Sequence, residues 1–211
     1  RSLVGSEMCI RDSVWIDMTP MSDVMVLLLT FFMLTSTFVK NEPVKVVTPG
    51  SVSEIKVPEK DVLNILVNKD GRIFMSMDKV TDLEAALQTI TAENGISLNG
   101  EQIKKFKDDA MFGAPLDKLS DYLNQDKSDM SAVLPTLGIP TDSVKMSDGT
   151  MGKSEFQQWV SAAKEVNPDI KLAIKSDQNT PYKVVKKVMD ELRDMEENRY
   201  YLITSYKKVE D

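Results

Sequence analysis

Apolar residues recur in three different rhythms along this chain. From Met21 to Val39 (MSDVMVLLLTFFMLTSTFV) they are nearly continuous: thirteen of nineteen positions are apolar, and the one ionisable group is Asp23. Wound as a helix, the stretch is roughly 28 Å long, close to the hydrocarbon thickness of a bilayer. A soluble core helix interleaves charges along one face. No charge falls between Val24 and Val39, so residues 21–39 are predicted to form one transmembrane helix. Thr19 is placed to cap it, Pro20 suits a first turn, and Lys40 and Asn41 end it. Residues 40–60 carry Pro43, Pro49 and Pro58 without helical periodicity and predict an extended tether.

Beyond the tether the rhythm changes to twos and threes. Asp61 to Val67 is strand-like, Asn68-Lys69-Asp70-Gly71 is a turn, and Arg72 to Met77 returns, which predicts a hairpin. Asp82 to Thr91 follows as an amphipathic helix with Leu83, Ala86, Leu87 and Ile90 on one face. Near the other end, Ile170 to Ser176 alternates as a strand. Thr180 is placed as an N-cap, with Pro181 at the first helical position. Tyr182, Val185, Val188, Met189, Leu192 and Met195 then recur at helical spacing to about Glu197, a stripe that predicts core. Arg199 to Tyr206 closes as a strand. The sum is β-β-α followed by β-α-β, a small α+β domain over residues 61–211. Between its halves lies an insertion, about 93–168, with short helices predicted at 100–109, 116–124 and 154–166. The acid pairs and runs at Asp108-Asp109 and Asp126–Asp129 lack the order and glycine of an EF-hand loop and predict solvated surface.

Composition narrows the chemistry. A chain of 211 residues holds one modest domain with appendages, and its net charge of −7 argues against nucleic acid as a partner. One cysteine and no histidine exclude an internal disulfide, a Cys/His zinc site, and Cys–His or Ser–His–Asp catalysis. No glycine-rich phosphate loop is present. No catalytic residue, metal or cofactor is therefore expected, and the chain is not expected to be an enzyme. Carboxylates remain as proton carriers near neutral pH, and Asp23 stands out among them. An unpaired carboxylate in hydrocarbon costs on the order of 3 kcal/mol or more, so Asp23 must face protein or water. At about 100° per residue, Leu27, Thr30, Leu34 and Thr37 fall within roughly 40° of it. Asp23, Thr30 and Thr37 thus form a polar stripe, with the two threonines as proton-pathway candidates. Two blander readings compete: a polar anchor near the interface for Asp23, and hydroxyls bonded back to their own helix for the threonines. Lys40, Lys45 and Lys56 do not settle the orientation of the span. Residues 1–13, Cys9 included, read as translated adapter sequence, and 14–20 as a residual tail.

Two separated segments carry a family resemblance. Asp17 to Phe38 (DMTPMSDVMVLLLTFFMLTSTF) resembles the membrane segment of the ExbD/TolR biopolymer-transport family, with Asp17, Thr19, Pro20 and Asp23 matching its entry motif. Ile170 to Tyr206 is similar to the family's closing strand–helix–strand, including Lys175, Asp177, Tyr182 and Val188-Met189-Asp190. Ser22, where an apolar residue is common, and the long insertion depart from the pattern. The resemblance implies a cell inner-membrane, single-pass protein with a cytoplasmic amino terminus and a periplasmic carboxy-terminal domain. It implies a homodimer inside an ExbB/TolQ-like ring, a motor driven by the proton-motive force through Asp23, and a TonB-like partner. In the TolR branch the partner is Pal or peptidoglycan instead. Lys175, Asp177 and Tyr182 are then candidate contacts of the periplasmic domain. A rival from another class is a passive anchor whose domain binds peptidoglycan or an envelope partner.

Overall fold

Residues 18–35, 43–51, 60–142 and 152–206 are described in a computed structural model, and the chain divides into two units, residues 1–39 and 40–211. In the first, α1 (Thr19–Thr35) carries Pro20 in its first turn and opens with the Ser22 N–H donating to Met18 O at 3.0 Å. Its 17 residues span about 25 Å. Among the described residues no helix is long and apolar enough to cross a membrane. Positions 36–39 of the predicted span, Thr37 with them, lie outside the described residues.

The second unit contains β1 (Gly50–Ser51), β2 (Val62–Val67), β3 (Ile73–Met77), α2 (Val80–Glu93), α3 (Gly100–Asp108), α4 (Leu119–Leu123), α5 (Lys127–Val133), α6 (Glu155–Val166), β4 (Lys171–Ser176), α7 (Tyr182–Asp194), β5 (Tyr200–Leu202) and β6 (Ser205–Tyr206). Four strands form one sheet in the order β3-β2-β4-β5. The β2–β3 hairpin is antiparallel, while β2–β4 and β4–β5 are parallel. Register places Ile65 between Met75 and Ile174, and Leu63 beside Leu172. All five are buried in one continuous core with Leu83, Ala86, Leu87 and Ile90 of α2 and Phe156, Trp159, Val160 and Ala163 of α6. The expected α+β plan and the expected apolar face of α2 are both present. The hairpin turn works as its residues suggest. Gly71 takes φ +77°, a backbone state with little cost only for glycine, and the Asn68 side-chain oxygen accepts the N–H groups of Asp70 and Arg72, each at 2.9 Å.

Residues 93–168 do more than decorate. Phe112 and Met75 exchange two backbone hydrogen bonds of 2.8 Å, the Ile139 N–H donates to Ile73 O at 2.9 Å, and Arg72 Nη1 donates to Pro135 O at 2.7 Å. The outer edge of β3 is thereby closed, removing a row of unpaired backbone groups. Phe106 and Phe112 pack on Trp159 with ring centroids 6.0 and 4.4 Å away. Ser154 caps α6 with a full capping box, and its hydroxyl donates to Glu191 of α7 at 2.8 Å.

Several expectations need correction. Thr180 does not cap α7, which begins at Tyr182 after Pro181; its hydroxyl donates instead to Asn68 O at 3.0 Å. The buried stripe of α7 runs through Val188 and Leu192, with Val184, Met189 and Met195 partly buried against the core. Tyr182 is 71% exposed, because it precedes the turn that reaches the sheet. Asp109 is half-buried and accepts the Tyr122 hydroxyl at 3.2 Å. The run Asp126–Asp129 is exposed but belongs to the start of α5, whose Met130 is buried. The closing strand breaks in two, and β6 pairs in parallel with β1 rather than with the main sheet.

Among the described glycines, Gly113 has the least room for a side chain. A Cβ there would lie 2.3 Å from Cδ1 of Phe74, a ring that is 0% exposed and has nowhere to go. Gly113→Ala is expected to cost about 1–3 kcal/mol in denaturant unfolding of the full chain in detergent. Gly100→Ala, which meets nothing within 4 Å, serves as the control; equal stabilities in the two variants would refute this account of the insertion's packing.

Candidate functional site

The first site lies on α1. Every described residue of that helix is exposed, with Leu34 at 87% and Met33 at 73%. An apolar surface of that extent needs lipid or protein over it. Asp23, Leu27, Thr30 and Leu34 share one face by helical geometry. The Thr30 hydroxyl donates to Val26 O at 2.9 Å, with Leu27 O at 3.0 Å, and Thr35 donates to Phe31 O at 2.8 Å. The hydroxyl protons of Thr30 and Thr35 are thus committed to their own helix, as threonines in apolar helices commonly are. Thr30 keeps only its acceptor lone pairs for a neighbour on the face of Asp23. The Asp23 carboxylate has no hydrogen-bond or ion-pair partner among the described residues. It is the ionisable side chain of α1.

Lys175, Asp177 and Tyr182 are close in sequence yet occupy three different surroundings. Lys175 is half-buried on β4 and lines a small cavity of about 170 Å³ with Asn64, Leu66, Ser76 and Ile203. Tyr182 stands in solvent. Asp177 is buried, and its carboxylate accepts the Val47 N–H at 3.0 Å and the Asn179 N–H at 2.9 Å. The structure does not assemble the three into one contact surface. Asp177 is instead the centre of a knot.

That knot fastens the stretch expected to be a free tether. Asp177 O accepts the Thr180 N–H at 3.0 Å, the Gln178 N–H donates to Val47 O at 2.8 Å, and the Ser205 N–H donates to Pro49 O at 3.0 Å. Residues 43–51 therefore run as a strap across the loop after β4 and onto β6, with Val44 buried. Sequence reading passed over Val47 and Asn68 as functional positions. The available signal was the short alternation Val44-Lys45-Val46, a two-residue strand period overshadowed by the prolines on either side.

Two backbone N–H groups, those of Asn179 and Val47, are the main reason the Asp177 carboxyl titrates below its ordinary value, with the Asn179 amide and the nearby Lys69 charge adding to them. A depressed folded-state pKa means that the strap's anchorage is fully present above the ordinary value of 3.8 and is lost only as pH falls through the lower folded value. The protection of the Val47 and Gln178 amides, measured against their intrinsic exchange at each pH, is therefore expected to be high at pH 5 and to fall below about pH 3.8. In Asp177→Ala it should be low at both. Unchanged protection in that variant would show that the strap is held by other means.

Comparison with known proteins bears on the family of the chain. The "Biopolymer transport protein ExbD/TolR" family model matches residues 11–104 and 118–206. The chain is also similar to "Biopolymer transport protein ExbD" of Aquifex aeolicus (strain VF5), at 26% identity over 108 residues, covering 50% of this chain and 76% of that protein. No solved structure matches. With well over half of its residues inside the family match, the chain belongs to the ExbD/TolR family of biopolymer transport proteins.

Proposed function

We propose that this protein is the proton-carrying, energy-transducing subunit of an inner-membrane motor of the ExbB–ExbD type, powering TonB-dependent outer-membrane transport. The observation that carries the reading is Asp23: a lone carboxylate without a partner among the described residues, on an apolar helix exposed on every side. Together with the apolar sequence that follows it to Val39, α1 spans the membrane. Its amino terminus is cytoplasmic and the second unit periplasmic. The exposed surface of α1 is covered by a second copy of the chain and by an ExbB/TolQ-like ring. Asp23 takes a proton from one side and releases it to the other. Each charge moved is worth about 2.3 kcal/mol per 100 mV, and its neutralisation changes how the helix sits against the ring. The chain makes and breaks no covalent bond, and it needs no cofactor.

In cells, Asp23→Asn is expected to leave a folded protein that still copurifies with its ring partner while uptake falls to the level of a deletion strain. Asp23→Glu, which keeps the carboxyl, should retain part of the activity. Normal uptake in Asp23→Asn would refute the motor reading and favour a passive anchor. A variant defective in envelope integrity but normal in TonB-dependent uptake would assign the chain to the TolR branch.

A further inference from the structure

One end of the second unit collects cations although the chain as a whole carries a net charge of −7. Lys69 is exposed in the hairpin turn, close enough to act electrostatically on Asp177. Lys45 and Val47 are exposed on the outer side of the strap, whereas Val44 and Val46 turn towards the core. Because Thr180 is bonded to Asn68 and Val184 packs over Gly71, the first turn of α7 stands beside the same hairpin turn. It presents Tyr182, Lys183 and Lys186 to solvent. The exposed acid of the turn is Asp70, since Asp177 is buried among N–H donors. Lys187, the next cation along α7, is paired with Asp142 at 2.6 Å and does not belong to the group.

We propose that this patch of Lys45, Lys69, Lys183, Lys186 and Tyr182 docks on the anionic phospholipid headgroups of a bilayer. The inference rests on the reading of α1 as a membrane span. Lysines near an anionic surface are attracted while keeping their hydration, and tyrosine is at home at headgroup level. Chain length favours a bilayer over an acidic protein as the occupant. The backbone between Thr35 and Pro43 reaches at most about 29 Å, and Pro43 opens the strap that carries Lys45 into the patch. Lys45 thus follows the last residue of α1 by only ten positions in the chain.

The full chain is reconstituted in vesicles of phosphatidylcholine, or of phosphatidylcholine mixed with phosphatidylglycerol, and its lysines are acylated briefly and counted by mass spectrometry. Lys104 and Lys127, exposed elsewhere, are internal references. Anionic lipid is expected to slow labelling of Lys45, Lys69, Lys183 and Lys186 roughly fivefold relative to the references. Raising salt from about 0.1 M to 1 M, which shortens the screening length from ~10 Å to ~3 Å, should abolish the difference. In Lys69→Glu/Lys183→Glu/Lys186→Glu, a change of exposed side chains only, Lys45 should lose its protection. Carbonate-resistant flotation reports insertion of α1 separately. An inserted chain labelled equally in both vesicles overturns the docking proposal and leaves the span intact. Protection that resists salt, or that appears only on adding an acidic protein, overturns it as well. Lipid-dependent, salt-sensitive protection in a chain that fails to insert supports docking and removes the span.

Discussion

β2 and β4 lie side by side and parallel from Val62↔Lys171 to Val67↔Ser176, although more than a hundred residues separate them in sequence. Parallel neighbours cannot be joined by a tight turn; the chain must leave the sheet and return to the same end. Everything from α2 to α6 is that return. Because β2 is already engaged by β3 on its other side, β4 has one place to add, and β5 follows it through α7. The register that sets Leu63 beside Leu172 and Ile65 beside Ile174 also fixes which faces of α2 and α6 can be buried. Shifting the pairing by one residue would turn those side chains away from the helices. The core, the position of the loop after β4 and the seat of the strap all depend on this pairing.

The elements whose apolar period is long and clean could be read directly. Leu83, Ala86, Leu87 and Ile90 sit one turn apart on a helix of fourteen residues, and the hairpin is marked by Asn68 and Gly71 at its turn. The pattern was less informative where tertiary contacts select among local options. Thr180 and Pro181 look like the start of a helix, but the Thr180 hydroxyl satisfies a carbonyl of the hairpin turn. Tyr182 shares the helical period of Val185 and Val188, yet lies before the part of α7 that meets the core. The seven residues of α5 are too few, and too polar outside Met130, to show a period. At the sites, Asp23 is conspicuous because a charge among apolar residues needs no partner to be noticed. The role of Asp177 was hidden because its long-range partner, Val47, is 130 residues away.

Residues 93–168 and the strap solve related problems with different means. A sheet edge left open offers unpaired N–H and C=O groups to any passing strand. Phe112 and Ile139 occupy such groups along β3, and the Arg72 guanidinium beside them donates to Pro135 O. On the other side, residues 47–50 occupy groups of the β4–α7 loop and of β6. The first device uses a folded segment with its own aromatic core around Trp159. The second uses a few extended residues and one carboxylate. Segments of such different cost differ in how readily they let go: local opening is easiest where few buried apolar contacts back the hydrogen bonds. Val44 is the strap's one fully buried side chain, against a cluster of buried aromatics under the β3 edge.

The covalent route from Asp23 into the second unit runs through residues 36–42, and the first described backbone on the far side is the strap itself. Along it, Val47 is held at both polar groups, its N–H by Asp177 and its carbonyl by Gln178. The sheet, pinned by the β2–β4 register, has no soft element of comparable size to yield. Asp177 therefore contributes less as a surface for partners, the role its place in the family motif suggests, than as the acceptor that holds the strap to the loop after β4.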